Sequence, residues 1–292
     1  MNTSIPYVGR FAPTPSGHLH FGSLIAALGS YLRAKSQNGQ WIVRIEDLDP
    51  PREMTGASQH ILHTLESYGL EWDGDVVYQS QRHDLYLDHI HQWLRNNDAY
   101  YCQCTRKDIQ TLGGVYQGRC RNDGHHQGAI RLKNHFPISQ FNDQLHGTLT
   151  LPEKWVTEDL LIQRRDGLFA YNLAVVLDDI DQGITEVVRG ADLIDTTGRQ
   201  IGLYQQLQKK PIDYLHLPLA VTENGNKLSK QNHAPEIDSS RPQLALISAL
   251  RFLGQIAPDH LQDLTVDALL LWATQHWQLK SVPQKTQITL GF

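Results

Sequence analysis

The sequence predicts an α/β fold built on a mainly parallel sheet, and three observations carry the prediction. Residues 7–11 form an apolar strand run, Pro13 and Pro15 hold the next stretch out of helix, and Leu24, Leu28 and Leu32 then recur on one helical face. This is strand, loop, helix. Residues 41–45 return as a β-branched strand, closing a βαβ unit, and run directly into Glu46, Asp47 and Asp49. Late in the chain, a strand over residues 217–221 turns on Asn224-Gly225 into a loop carrying Lys227, Ser229 and Lys230.

With 292 residues and 40% apolar content, the chain can bury a sizeable core. Twenty-six basic residues against 31 acidic ones give a net charge of −5, so no global positive field invites nucleic acid and any RNA contact must use local patches. Three cysteines, two in one Cys-x-Cys, make no disulfide framework. No run reaches the length of a membrane span, and the N-terminus lacks a basic segment followed by an apolar one. The expected compartment is the cytoplasm, with no membrane partner.

In chain order, helices are expected over 53–69 and 82–97, the second burying Tyr86, Ile90, Trp93 and Leu94. From Tyr100 to Gly128 aliphatic residues become scarce and all three cysteines appear: Cys102, Cys104 and Cys120. A segment with so little to bury needs another staple, and a reduced cysteine cluster suggests structural zinc. Three thiolates leave the fourth position to Tyr116, His125 or His126. Strands follow at 129–132 and 147–151, then a hairpin over 160–171 turning on Asp166-Gly167. An apolar continuation over 172–177 ends in Asp178, Asp179 and Asp181 before the parallel sheet resumes at 184–188, which ends in Arg189. A helix over 196–208 leads to the strand before the lysine loop, and helices over 242–254 and 266–277 close the chain.

The chemistry lies at the carboxyl ends of the strands. The first strand passes through a glycine-containing loop to a helix N-terminus at Gly22, where free amides and the macrodipole favour phosphate, and His20 adds a donor. Two lysines three apart in a glycine-gated loop can fold over a triphosphate. Together, His20-Phe-Gly-Ser23 and Lys227-Leu-Ser-Lys230 resemble the HIGH and KMSKS signatures of class I aminoacyl-tRNA synthetases. Residues 10–17, 44–49, 171–179 and 183–190 add blocks similar to the glutamyl-type subgroup, so the resemblance runs from about residue 7 to 233.

That resemblance implies a Rossmann-type catalytic domain in two halves, residues 1–100 and 171–232, around a zinc-containing insertion at 101–170. A small helical unit at 233–292 stands where full-length members carry an anticodon-binding domain. It implies ATP with Mg2+, L-glutamate and a tRNA as partners. It places glutamate against Arg10, Phe11, Ala12, Pro13, Thr14, Glu46, Tyr171 and Arg189, and ATP against His20, Gly22, Lys227, Ser229 and Lys230, with His20 and the two lysines catalytic. It names Tyr116 as the fourth zinc ligand. The short C-terminal unit and the cysteine pattern are most similar to members that place glutamate on queuosine in the anticodon loop of tRNA(Asp), acting as a monomer. The competing readings are a minimal glutamyl-tRNA synthetase charging a 3′ end and an adenylate-forming ligase that never meets tRNA. Two departures stand out: Ser23 where HIGH ends in histidine, and Gln231 where the lysine loop ends in serine or a basic residue.

Overall fold

A computed structural model of the protein describes residues 6–111, 113–225 and 236–290. The first βαβ unit comprises β1 (Val8–Phe11), α1 (Phe21–Ser36) and β2 (Gln40–Ile45). β1 and β2 pair in parallel, with Val8 opposite Gln40 and Phe11 opposite Val43. Next come α2 (Ala57–Ser67), β3 (Val77–Tyr78) and α3 (His83–Arg95), with β3 parallel to β2. The expected helix over 53–69 starts late because Gly56, at φ +78°, takes a left-handed conformation that ends any helical run across it.

The middle of the chain holds β4 (Ala99–Cys102), α4 (Arg106–Thr111), β5 (Ala129–Leu132), β6 (Gln140–Asp143), β7 (Gly147–Thr150), α5 (Glu153–Val156) and β8 (Leu160–Gln163). β4, β5 and β8 form an antiparallel sheet of their own. The β6–β7 hairpin does not join it; β6 lies parallel to a strand of the main sheet.

The run over 172–177 is not extended. It belongs to α6 (Tyr171–Asp181), followed by β9 (Glu186–Gly190), α7 (Ile194–Gln206), β10 (Asp213–Leu217) and β11 (Leu219–Val221). β9 and β10 pair in parallel, and β6 flanks β10. β9 also lies beside β1, where Thr185 N donates to Val8 O at 2.9 Å and Val8 N donates to Thr185 Oγ1 at 3.0 Å. The chain therefore leaves β1 toward β2 on one flank and returns to β9 on the other. In open α/β sheets a crevice opens beyond the carboxyl ends at such a reversal.

The chain closes with α8 (Pro242–Phe252), α9 (Val266–His276) and β12 (Gln287–Thr289), which pairs in parallel with β11. Leu246, Leu250 and Leu269 share one core with Leu24 and Leu28 of α1 and Val43 of β2. Each such side chain contributes about 1.5–3 kcal/mol by burial, so the closing helices brace the helix that faces the crevice.

Candidate functional site

A cleft of about 770 Å³ opens at the reversal point between β1 and β9. Its walls include Arg10, Phe11, Ala12, Pro13, Thr14, His20, Gly22, Glu46, Tyr171 and Arg189. The structure thus brings together the described residues expected to hold glutamate and ATP. Lys227, Ser229 and Lys230 lie outside the described residues.

The first turn of α1 borders this cleft. His20 is its N-cap: Nδ1 accepts from Ser23 N at 3.3 Å, while Ser23 Oγ accepts from His20 N at 2.7 Å. This reciprocal cap gives Ser23 a reason to stand at the last position of the motif, because its short hydroxyl can reach back where a larger side chain would not. An accepting Nδ1 puts the imidazole proton on Nε2. Pro13 O accepts from Glu46 N at 3.0 Å, which ties the loop after β1 to the end of β2.

Beneath the cleft lies a buried charged layer. Arg10 Nε donates to Asp179 Oδ1 at 3.2 Å, and Arg44 Nη2 donates to the same oxygen at 2.8 Å. Burial would raise Asp179, but Arg10 and Arg44 outweigh it and hold the carboxylate below its usual range. Asp178 accepts from Gln79, Arg82 and Tyr86. Arg44 Nε and Glu46 Oε1 lack hydrogen-bond partners among the described residues. Glu46 Oε1 is buried and accepts no hydrogen bond from any described residue, and Arg44 Nη2 stands 3.6 Å away. Burial pushes its pKa up to about 7 despite Arg44 and Arg10.

Arg189, at the end of β9, is 5% exposed. Nε donates to His216 Nε2 (3.1 Å), Nη1 to Gln200 Oε1 (2.8 Å) and Tyr171 Oη (3.3 Å), and Nη2 to Thr197 Oγ1 (2.7 Å) and Leu193 O (3.4 Å). All five acceptors are neutral; among the described residues no carboxylate lies within 4.0 Å of this guanidinium. Tyr171, 37% exposed at the start of α6, is its contact nearest solvent.

A second constellation lies within residues 101–128. The sulfurs of Cys102, Cys104 and Cys120 all lie within 4.8 Å of one another, with Cys104 and Cys120 at 3.6 Å. A tetrahedral zinc with bonds of 2.3 Å spaces two thiolates by about 3.8 Å, so the cluster fits the ion. Tyr116 is buried against it and its Oη accepts from Cys120 N at 2.8 Å. Burial and the neighbouring sulfurs push Cys104 up to about 12, whereas at Cys102 Tyr116 and Arg131 outweigh burial and bring the thiol below its ordinary value. Gly128 closes the cluster: at φ +133° its backbone crosses so near that a Cβ would meet Cys102 O at 2.5 Å. His125 and Asp123 also lie within 4.8 Å of Cys120 Sγ, with His125 Nε2 3.3 Å from Asp123 Oδ2.

Several participants carried no role in the sequence reading. Asp179, Arg44, His216, Thr197 and Gln200 are buried under the cleft and never signal themselves by composition. Asp178 and Asp179 could have been placed: seven and eight residues past Tyr171 is two helical turns, once 171–181 is recognised as helix. Two arginines outside the cleft are engaged in ion pairs, Arg121 with Asp159, and Arg164 with Asp49 and Asp166.

Known proteins agree with this architecture. The catalytic-domain family of class I tRNA synthetases for E and Q matches residues 7–265, and the chain belongs to that family. A glutamate-tRNA synthetase from Elizabethkingia anophelis superposes with a TM-score of 0.80 at 23% identity, covering 97% of this chain and 68% of its own, which establishes the shared fold. The glutamyl-Q tRNA(Asp) synthetase of Vibrio parahaemolyticus is 61% identical over 98% of this chain and 97% of its own length. That of Photobacterium profundum is 62% identical over 99% and 94%, and that of Escherichia coli K12 is 55% identical over 99% and 95%. Within the class I family, the chain falls among the glutamyl-Q tRNA(Asp) synthetases.

Proposed function

We propose that the protein activates L-glutamate with ATP and transfers the glutamyl group to queuosine in the anticodon loop of tRNA(Asp). The observation that carries the glutamate half is the charge pattern of the cleft: among the described residues, a buried arginine with only neutral partners, Arg189, and a buried carboxylate oxygen of Glu46 that accepts no hydrogen bond and has only Arg44, 3.6 Å away, for a counter-charge. Buried ions left this way are costly unless a ligand completes them. An amino acid with an acidic side chain completes both. Its ammonium answers Glu46, its side-chain carboxylate answers Arg189 as a bidentate partner, and Arg10 and Tyr171 border the same space. Glutamine would offer Arg189 an uncharged amide, so discrimination needs no editing site.

In the activation step the α-carboxylate of glutamate attacks the α-phosphate in line and pyrophosphate leaves; no covalent enzyme intermediate is required. His20 and the first turn of α1 at Gly22 hold phosphate, and Lys227 and Lys230, with Ser229 between them, neutralise the leaving pyrophosphate. Mg2+ bound with ATP supplies further positive charge to those oxygens. A hydroxyl of the queuosine diol then attacks the carbonyl of the resulting glutamyl-adenylate; the ester forms as the carbonyl–phosphate bond breaks, AMP leaves and the hydroxyl proton is released. Structural zinc held by Cys102, Cys104, Cys120 and Tyr116 staples the 101–170 insertion, and the enzyme works as a monomer in the cytoplasm. Among the described residues no helix is long and apolar enough to cross a membrane.

Glutamate-dependent ATP–pyrophosphate exchange tests the activation step. Exchange with glutamate and at least about 100-fold weaker exchange with glutamine supports the assignment. Equal exchange with both amino acids contradicts it.

A further inference from the structure

Arg189 reads a carboxylate only if its fork is held open and aimed, and the side chains behind it explain how that is done. Arg189 on β9 and His216 on β10 are register partners. His216 is fully buried, and its Nδ1 lies 2.7 Å from Oδ2 of Asp143, the last residue of β6. Asp143 is 1% exposed and meets donors alone: Oδ2 also accepts from His216 N at 3.1 Å, while Oδ1 accepts from Leu145 N and His146 N at 2.9 and 3.0 Å. Three backbone N–H donors favour the ionised carboxylate, and because Arg189 Nε can only donate, His216 Nε2 must accept and the imidazole proton sits on Nδ1, facing Asp143. Nε2 therefore presents a lone pair, and Arg189 Nε donates into it at 3.1 Å.

Resting on the glutamate assignment above, we infer that Asp143 and His216 are positioning residues that orient Arg189 and balance its charge for the substrate carboxylate. The neutral imidazole acts as a spacer. An acidic residue set directly against Arg189 would satisfy the fork as the substrate does and would compete with it. Placed one imidazole away, Asp143 offsets the buried charge through His216, and the two longest contacts of the guanidinium, to Tyr171 Oη at 3.3 Å and Leu193 O at 3.4 Å, are the ones a substrate carboxylate would replace. Gln200 and Thr197 fix the remaining donors. A turn hairpin inserted between the two halves of the parallel sheet thus reaches the amino-acid pocket through β6.

The test is ATP–pyrophosphate exchange by full-length His216→Leu and His216→Gln, with KM for glutamate, KM for ATP and kcat measured separately. Leucine removes the acceptor; glutamine can accept from Arg189 and donate to Asp143. His216→Leu is expected to raise KM for glutamate by about 10- to 100-fold, the usual range for losing a partner that orients a ligating group, with KM for ATP within about twofold of wild type. His216→Gln is expected to recover most of that loss. An unchanged KM for glutamate in His216→Leu overturns the inference, as does an equal rise for both substrates that glutamine does not rescue. Should the leucine variant fail to fold, His216→Asn, one methylene too short to span Asp143 and Arg189, takes its place against His216→Gln with the same expectation. A wild-type chain without glutamate-dependent exchange overturns the glutamate assignment itself, and this inference with it.

Discussion

Glu46 offers the sharpest link between the geometry and a solution measurement. Its folded pKa of about 7, raised mainly by burial, means that the empty site holds a largely protonated carboxyl below neutrality. A substrate ammonium needs the ionised form. By simple titration the group is about one-tenth ionised at pH 6 and about nine-tenths at pH 8, so KM for glutamate is expected to fall about tenfold across that window. Glu46→Gln removes the charge. It should raise KM by roughly 10- to 100-fold, from about 1.5–3 kcal/mol for a hydrogen bond to a charged group, and flatten the profile between pH 6 and 8. The sign for stability is opposite to that for binding. A pKa raised above 4.5 stabilises the empty fold below pH 4.5, and this is lost as pH rises through 7, an effect on the order of 3 kcal/mol. Bound glutamate restores it, so thermal stabilisation by glutamate should grow from pH 6 to 8. The assay is exchange kinetics at fixed saturating ATP, with a melting series alongside. A flat KM profile in the wild type, or an unaltered slope in Glu46→Gln, would refute this account of the ammonium site.

Other perturbations separate the remaining parts. Lys230→Ala should lower glutamate-dependent exchange by roughly 10²- to 10³-fold, the usual effect of removing one transition-state contact; near wild-type exchange would remove the residue from catalysis. Arg189→Lys should raise KM for glutamate by about 10- to 100-fold, because a point charge cannot replace a planar fork; an unchanged value would move side-chain recognition elsewhere. Asp179→Asn takes the shared counter-charge from Arg10 and Arg44, and chemical denaturation should report a loss of about 3–5 kcal/mol. Tyr116→Phe should bind zinc measurably more weakly than wild type in a competition with a chromogenic chelator; equal binding would pass the fourth position to His125 or His126.

Much of the scaffold was legible in the chain because local pattern and tertiary need agree there. β1, α1 and β2 are fixed by Pro13 and Pro15, by the leucines at 24, 28 and 32, and by the β-branched run before Glu46. The lining of the cleft was named through the family resemblance; within it Arg10, Glu46 and Arg189 lie at or next to the carboxyl ends of strands, where charge stands out. Residues 171–181 were harder. Their apolar run is buried nearly all round, at Leu173, Ala174, Val175, Val176 and Leu177, which erases the helical period that would have marked it. The layer beneath the cleft was not legible. Asp143 lies about seventy residues from His216 in sequence, in a hairpin that reads as part of an insertion, and only the pairing of β6 with β10 brings them together. Nothing local marks a histidine as the partner of an arginine on the neighbouring strand.

The most direct test of the central claim is glutamate attachment to tRNA(Asp) carrying or lacking queuosine, with tRNA(Glu) in parallel and nuclease mapping of the labelled product. The account predicts label only on queuosine-bearing tRNA(Asp), recovered in the anticodon-loop fragment. Label on the 3′-terminal adenosine of tRNA(Glu) would contradict it and make the protein a minimal synthetase.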